Sequence, residues 1–237
     1  MFIVFLSLLS AVPYLCFGPA GVASCCTAPP DPDLAYDYYA VVDFECTCDD
    51  NQRWYKHEII EFPVVFLNAA TLEVDWTFHR FVRPTERPWL TDFCRGLTGI
   101  EQSDVNAAAT LPEVFAEFDE FLCERGIVGS RAGPGPPPAG LSFVVCTDGP
   151  WDIAKFLRPE CERKGVGLAP HWREWVDLRQ AFADALHCPR CGISDMLHLL
   201  GLDFDGRPHS GLDDARNLAR VASDLLRRGC RLAPAPL

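Results

Sequence analysis

The chain has 237 residues, of which 49% are hydrophobic and 23% charged. That is enough for one sizeable core, and it excludes disordered, collagen-like and polytopic membrane classes. Asp and Glu total 33 against 21 Lys and Arg, a formal net charge of −12. Taken alone, that balance argues against a nucleic-acid partner, because phosphate binding normally leaves a basic footprint. The only lysines are Lys56, Lys155 and Lys164, so the cationic side chains are overwhelmingly arginine, whose planar fork suits carboxylate and phosphate.

Residues 1–30 contain no charged side chain. The apolar run Phe2 to Phe17 is short of the roughly twenty residues a bilayer span requires and reads as a hydrophobic leader, signal-like or an artefact of the gene start, outside the fold. Residues 31–237 are expected to form a single domain. Among the 12 cysteines, Cys146 lies in an apolar run and Cys123 on an amphipathic helix, and both read as small buried hydrophobes of a reducing compartment. The pair Cys188 and Cys191 has metal-like spacing but lacks the second ligand pair of a zinc site, so a loop with incidental thiols is the favoured reading.

Tyr38-Tyr39-Ala40-Val41-Val42 predicts a buried strand ending in Asp43-Phe44-Glu45. Glu58 to Leu67 and Leu72 to Val82 predict a hairpin around Asn68-Ala69-Ala70-Thr71, which makes the first three strands an antiparallel meander. Thr110, Pro112 and Glu113 start a helix whose apolar face carries Leu111, Val114, Phe115, Phe118 and Leu122 and which Gly126 ends. The Pro/Gly-rich stretch 129–140 reads as an inserted loop. A strand over Leu141 to Thr147, a helix from Asp152 through Leu157, a short strand at Trp175 to Leu178, a helix from Ser194 to Leu200 and a last helix from Leu212 complete the pattern. The fold class is α/β, with a mixed central sheet flanked by helices.

Four acids stand out. Asp43 and Glu45 are two apart, so on a regular strand both project to one face, while Phe44 points away into the core. Asp152 sits at a strand-to-helix junction, and Asp214 opens the last helix five residues after His209. Each alone fits an ordinary strand end or a helix N-terminus, where the macrodipole favours an acid.

Their order, D-x-E … D … H-x4-D, resembles the DEDDh 3′–5′ exonucleases, which have an RNase H-like fold. The stretches Val42 to Cys48, His57 to Val65, Leu97 to Ile100, Thr147 to Phe156 and Gly206 to Asp214 are similar to the three-prime histone mRNA exonuclease (enhanced-RNAi) branch. The resemblance covers about residues 36–232. It implies metal ligation by Asp43, Glu45, Asp152 (not Asp148) and Asp214, two Mg²⁺ ions with Mn²⁺ as a substitute, and His209 as general base. Hard cations take carboxylate oxygens, and one like-charge pair at about 4 Å costs roughly 4 kcal/mol at an effective dielectric near 20, so such a cluster calls for cations. An imidazole with an ordinary pKa near 6.5 suits proton removal from the attacking water at neutral pH.

The implied reaction is stepwise hydrolysis of RNA from its 3′ end with release of 5′-mononucleotides, in histone mRNA, ribosomal RNA or small-RNA processing. A DNA 3′–5′ exonuclease and a non-catalytic RNA-binding or scaffold module of the same fold are the alternatives. Trp151 and Phe93 are candidate base-stacking residues, with core packing an equal option, and Lys155 is a candidate phosphate contact or a plain solvent-facing lysine. The expected partner is single-stranded RNA or an RNA 3′ end, with selectivity supplied by an RNA-binding protein, since larger members carry a SAP module for the RNA stem-loop. No membrane partner is expected beyond the leader, oligomeric state is left open, and the expected location is cytoplasm or nucleus. On this reading the net charge no longer excludes nucleic acid: four of the negative charges are destined for metal, and a short strand end does not demand a basic face.

Overall fold

A computed structural model of the chain describes residues 36–52, 55–128 and 140–236. The predicted leader and most of the Pro/Gly-rich stretch lie outside the described residues.

Seven strands form one sheet: β1 (Tyr38–Val42), β2 (Glu45–Cys46), β3 (Ile59–Asn68), β4 (Val74–Phe81), β5 (Phe143–Thr147), β6 (Glu174–Asp177) and β7 (Ala235–Pro236). β3 pairs antiparallel with both β1 and β4, which is the expected meander, and β5 and β6 add parallel to β1 in turn. The sheet is therefore mixed. β1 and β5 are buried at every position because helices cover both faces, whereas β4, on the edge, alternates toward solvent.

The helices are α1 (Asp92–Thr98), α2 (Gln102–Asn106), α3 (Leu111–Glu124), α4 (Arg158–Lys164), α5 (Leu178–Leu186), α6 (Ile193–Leu199) and α7 (Gly211–Arg227), with a π-helical stretch over Trp151–Leu157. Even-numbered residues of β1 and Phe44 join Phe62, Phe66, Phe118 and Trp172 in one core, under α3. Odd-numbered residues pack with Val65, Leu67, Phe182, Leu197, Leu218 and Ala222 in a second, under α5, α6 and α7. The period-2 alternation of a strand thus feeds two cores at once.

Helix α3 starts with the expected capping box, in which Glu113 accepts the Thr110 amide at 2.7 Å. Cys123 is a correction: it lies on the solvent-facing side of α3 and is exposed, while Cys146 is buried as expected. Cys188 and Cys191 are half-buried against the second core. Among the described residues no helix is long and apolar enough to cross a membrane.

Candidate active site

β1 does not run on into β2. The pairs Val42↔Val64 and Glu45↔Glu61 leave Asp43 standing opposite Pro63, which has no N–H to donate, and the ladder is broken over Asp43 and Phe44. The freed Phe44 amide donates instead to Asp152 Oδ1 at 2.8 Å. Phe44 itself points into the first core, its ring centroid 4.8 Å from that of Phe62. Asp43 and Glu45 still share a face, as expected, although the strand is irregular between them.

Helix α7 delivers the last acid. Its Ser210 cap makes no side-chain bond to the helix. The first amides are met from across the fold: Glu61 on β3 accepts from Gly211 at 2.9 Å and from Leu212 at 3.3 Å. Glu61 is buried, and its Oε1 also lies 2.8 Å from His79 Nε2. Gly211 is required here by close approach, since a Cβ at that position would stand 2.5 Å from the Asp43 carbonyl oxygen. The result is that Asp43, Glu45 and Asp214 each offer a ligand oxygen within 4.8 Å of the others.

Asp152 stands beside this cluster rather than in it. It is buried at the start of the π-helical stretch, a geometry frequent at functional sites, and one of its oxygens is committed to Phe44. Asp148, set aside on sequence, pairs with Arg179 of α5 and is not available.

The four carboxyls behave as a crowded set. Burial and the charges of Asp152, Asp214 and Glu45 hold the Asp43 carboxyl well above the usual range. Burial first, then Glu61 and Asp214, pushes Glu45 up to about 8. Asp152 and Asp214 are each raised to about 7, chiefly by burial, with the Phe44 and His209 amides pulling the other way. Among the described residues none of these four makes an ion pair. Hard oxygen donors, held close and without counter-charge, fit a divalent cation.

His209 is exposed, with φ +62, in the loop before α7. Its backbone amide donates to Asp214 Oδ2 at 2.7 Å. Arg207 fixes the same loop to α1: its Nη2 donates to the Gly96 and Leu97 carbonyls at 3.0 and 2.9 Å. Phe93 and Trp151 are 42% and 53% exposed, which removes the core option for both. Lys155 Nζ sits 3.6 Å from the centroid of the Trp151 ring, a cation–π contact one helical turn away.

Sequence reasoning missed Glu61, Gly211 as a contact point, and Arg207. An acid in the apolar strand Ile59 to Leu67 was the one available signal for Glu61.

A family model described as Exonuclease matches residues 40–222. The human protein named 3'-5' exoribonuclease 1 is 39% identical over 203 residues, which is 84% of this chain and 55% of that protein. The chain thus spans about half the length of that relative. Among solved structures, the nuclease domain of 3'hExo, a DEDDh family member bound to rAMP, superposes with a TM-score of 0.76 at 38% identity, over 84% of this chain and 96% of that one. A 3'-exonuclease solved for 3'-end-specific recognition of histone mRNA stem-loop gives a TM-score of 0.76 at 39% identity, over 84% and 66%. With a shared sheet, a matched domain and the acids in family order, the chain belongs to the exonuclease family and carries the DEDDh fold.

Proposed function

We propose that this chain is a 3′–5′ exoribonuclease that removes nucleotides one at a time from an RNA 3′ end, leaving 5′-mononucleotides. The observation that carries this is the convergence of Asp43, Glu45 and Asp214 within 4.8 Å, in a chain of the exonuclease family. Asp152 completes the proposed acidic set from beside the cluster, its Oδ1 anchored by the Phe44 amide. Two Mg²⁺ ions are the proposed cofactors, with Mn²⁺ as a substitute. Bound there, they supply charge compensation for the phosphate oxygens and acidify water.

The chain's own residues do the rest. Asp43 and Asp214 come from opposite ends of the sequence and face each other because Glu61 docks α7 onto β3. His209 takes the proton of the attacking water, from an exposed ring on a loop whose backbone is held by Asp214 and Arg207. Phe93 and Trp151 are exposed aromatic side chains that can meet the terminal bases, and Lys155, which covers one face of Trp151, can swing to a phosphate and uncover it. RNA is preferred over DNA as substrate because the relatives at 38–39% identity are named as an exoribonuclease or solved with rAMP or an RNA stem-loop. Residues 31–237 are proposed to act as one domain, in the cytoplasm or nucleus. The nine cysteines of the described residues, all with free thiols, support a reducing location.

The test uses 5′-labelled single-stranded RNA and a matched DNA, with Mg²⁺, Mn²⁺ or EDTA. A ladder shortening from the 3′ end, with nucleoside 5′-monophosphates released and EDTA blocking it, is the expected result. RNA left intact with both metals present would sink the enzyme reading in favour of a binding module, and faster loss of DNA would move the substrate.

A further inference from the structure

Outside the acidic site, the most solvent-exposed large apolar side chain among the described residues is Trp89, at 74%. An indole of that exposure is usually mobile, but the backbone here is pinned on both sides of it. Gln102 of α2 donates from Nε2 to the Pro88 carbonyl at 2.8 Å and accepts through Oε1 from the Leu90 amide at 2.8 Å. Leu90 is buried with Ile60, Cys94, Ile100 and Val105. The neighbour Thr91 donates to the Cys48 carbonyl at 2.7 Å, three residues past Glu45. The segment carrying Trp89 is therefore stapled to the loop that follows β2 and leaves the carboxylate cluster.

Two further groups share this segment. Phe93 follows four residues on and is exposed. Arg87 precedes Trp89 by two; its guanidinium lies 4.2 Å over the Tyr55 ring and donates to the neutral Gln52 at 3.1 Å. Among the described residues no carboxylate pairs with that guanidinium. In a chain of net charge −12, an arginine with no carboxylate partner among the described residues, two positions before an exposed indole and six before an exposed phenyl ring, is a combination suited to gripping single-stranded nucleic acid by stacking and phosphate contact together.

We propose that Arg87 and Trp89 form a wall for the RNA strand upstream of its 3′ terminus, continuing from Phe93 at the terminal bases, with Trp89 stacking a base beyond those seated at the carboxylates. This rests on the exoribonuclease reading for the choice of RNA. It predicts that affinity grows with chain length over the first several nucleotides. Base–aromatic stacking of this kind is worth about tenfold in affinity.

The experiment measures binding of 5′-fluorescein oligoribonucleotides of two, four, six and eight nucleotides to the full chain by anisotropy, with Ca²⁺ in place of Mg²⁺, alongside KM in Mg²⁺. The wild type is expected to tighten with length. Trp89→Ala is expected to lose roughly tenfold on the longer oligomers and to show a flat length profile, and Trp89→Phe to restore most of it. Leu199→Ala, which trims another exposed apolar side chain, on α6, should keep the wild-type profile. The proposal is overturned if the wild type gains nothing with length, if Trp89→Ala keeps the gain, or if Trp89→Phe fails to restore it. Absence of product from every length in Mg²⁺ and Mn²⁺ would instead remove the exonuclease reading, and the binding profile would still decide the wall.

Discussion

The carboxylate of Glu61 takes the Gly211 amide at 2.9 Å, so a side chain on strand β3 closes the first turn of helix α7. This bond sets where Asp214 stands relative to Asp43. Glu61→Gln keeps the size but presents an N–H to one of the two amides. We expect it to cost about 1–3 kcal/mol of stability and to weaken Mn²⁺ binding, read by thermal melts and by metal titration. An unchanged metal affinity would show that Asp214 is placed without it.

Gly211→Ala tests the same docking from the other side. Its new Cβ would meet the Asp43 carbonyl at 2.5 Å, so α7 must retreat. A displacement near 1 Å in a catalytic group can cost about a hundredfold. The expected outcome is a fall in kcat of that order with a lowered Tm, and normal turnover would contradict the packing described.

Removing one of the crowded acids should separate stability from activity. Asp43→Asn is expected to reduce RNA hydrolysis by at least about a hundredfold. In EDTA the same variant should melt no lower than the wild type, because it relieves repulsion among buried carboxylates. A large loss of Tm in EDTA would mean that Asp43 holds the fold rather than a cation.

His209→Ala is expected to lower kcat by about 10²–10⁴-fold and to leave Tm nearly unchanged, since the ring is exposed and the bond to Asp214 comes from the backbone amide. Wild-type turnover would refute its role as base.

The raised carboxyls give a signed pH dependence. Glu45 titrates near 8 and Asp152 and Asp214 near 7 in the fold, all above their unfolded values near 4. The native chain therefore binds more protons than the unfolded one across that interval, and stability is lost as pH rises through 7 to 8. Buried His171 acts in the opposite sense, being held down to about 4, but only below about 6.5. Between pH 6.5 and 8.5 in EDTA the Tm should fall by several degrees, and Mg²⁺ should flatten the slope. A Tm that rises over this range without metal would contradict the cluster.

The meander, the two apolar faces of β1 and the capping box of α3 were legible because each rests on local periodicity or turn chemistry. The order of Asp43, Glu45, Asp152, His209 and Asp214 was visible in the sequence, and the structure brings Asp43, Glu45 and Asp214 together. What stayed hidden is non-local. Nothing near Glu61 indicates that its partners are the amides of Gly211 and Leu212, and nothing near Gly211 says that the Asp43 carbonyl occupies the space of its absent side chain. Helices α1 and α2 are too short for a periodic signal. Cys123 misled because its helix is amphipathic while the residue itself sits on the polar side.

The contact between Gly211 and Asp43 joins segments made far apart in time on the ribosome. Asp43 and Glu45 emerge early, but they have no Asp214 to face until α7 has been synthesised, released from the exit tunnel and docked against Glu61. On the proposed exoribonuclease reading, a growing chain has no complete carboxylate cluster with which to attack RNA near the ribosome until its last helix is in place.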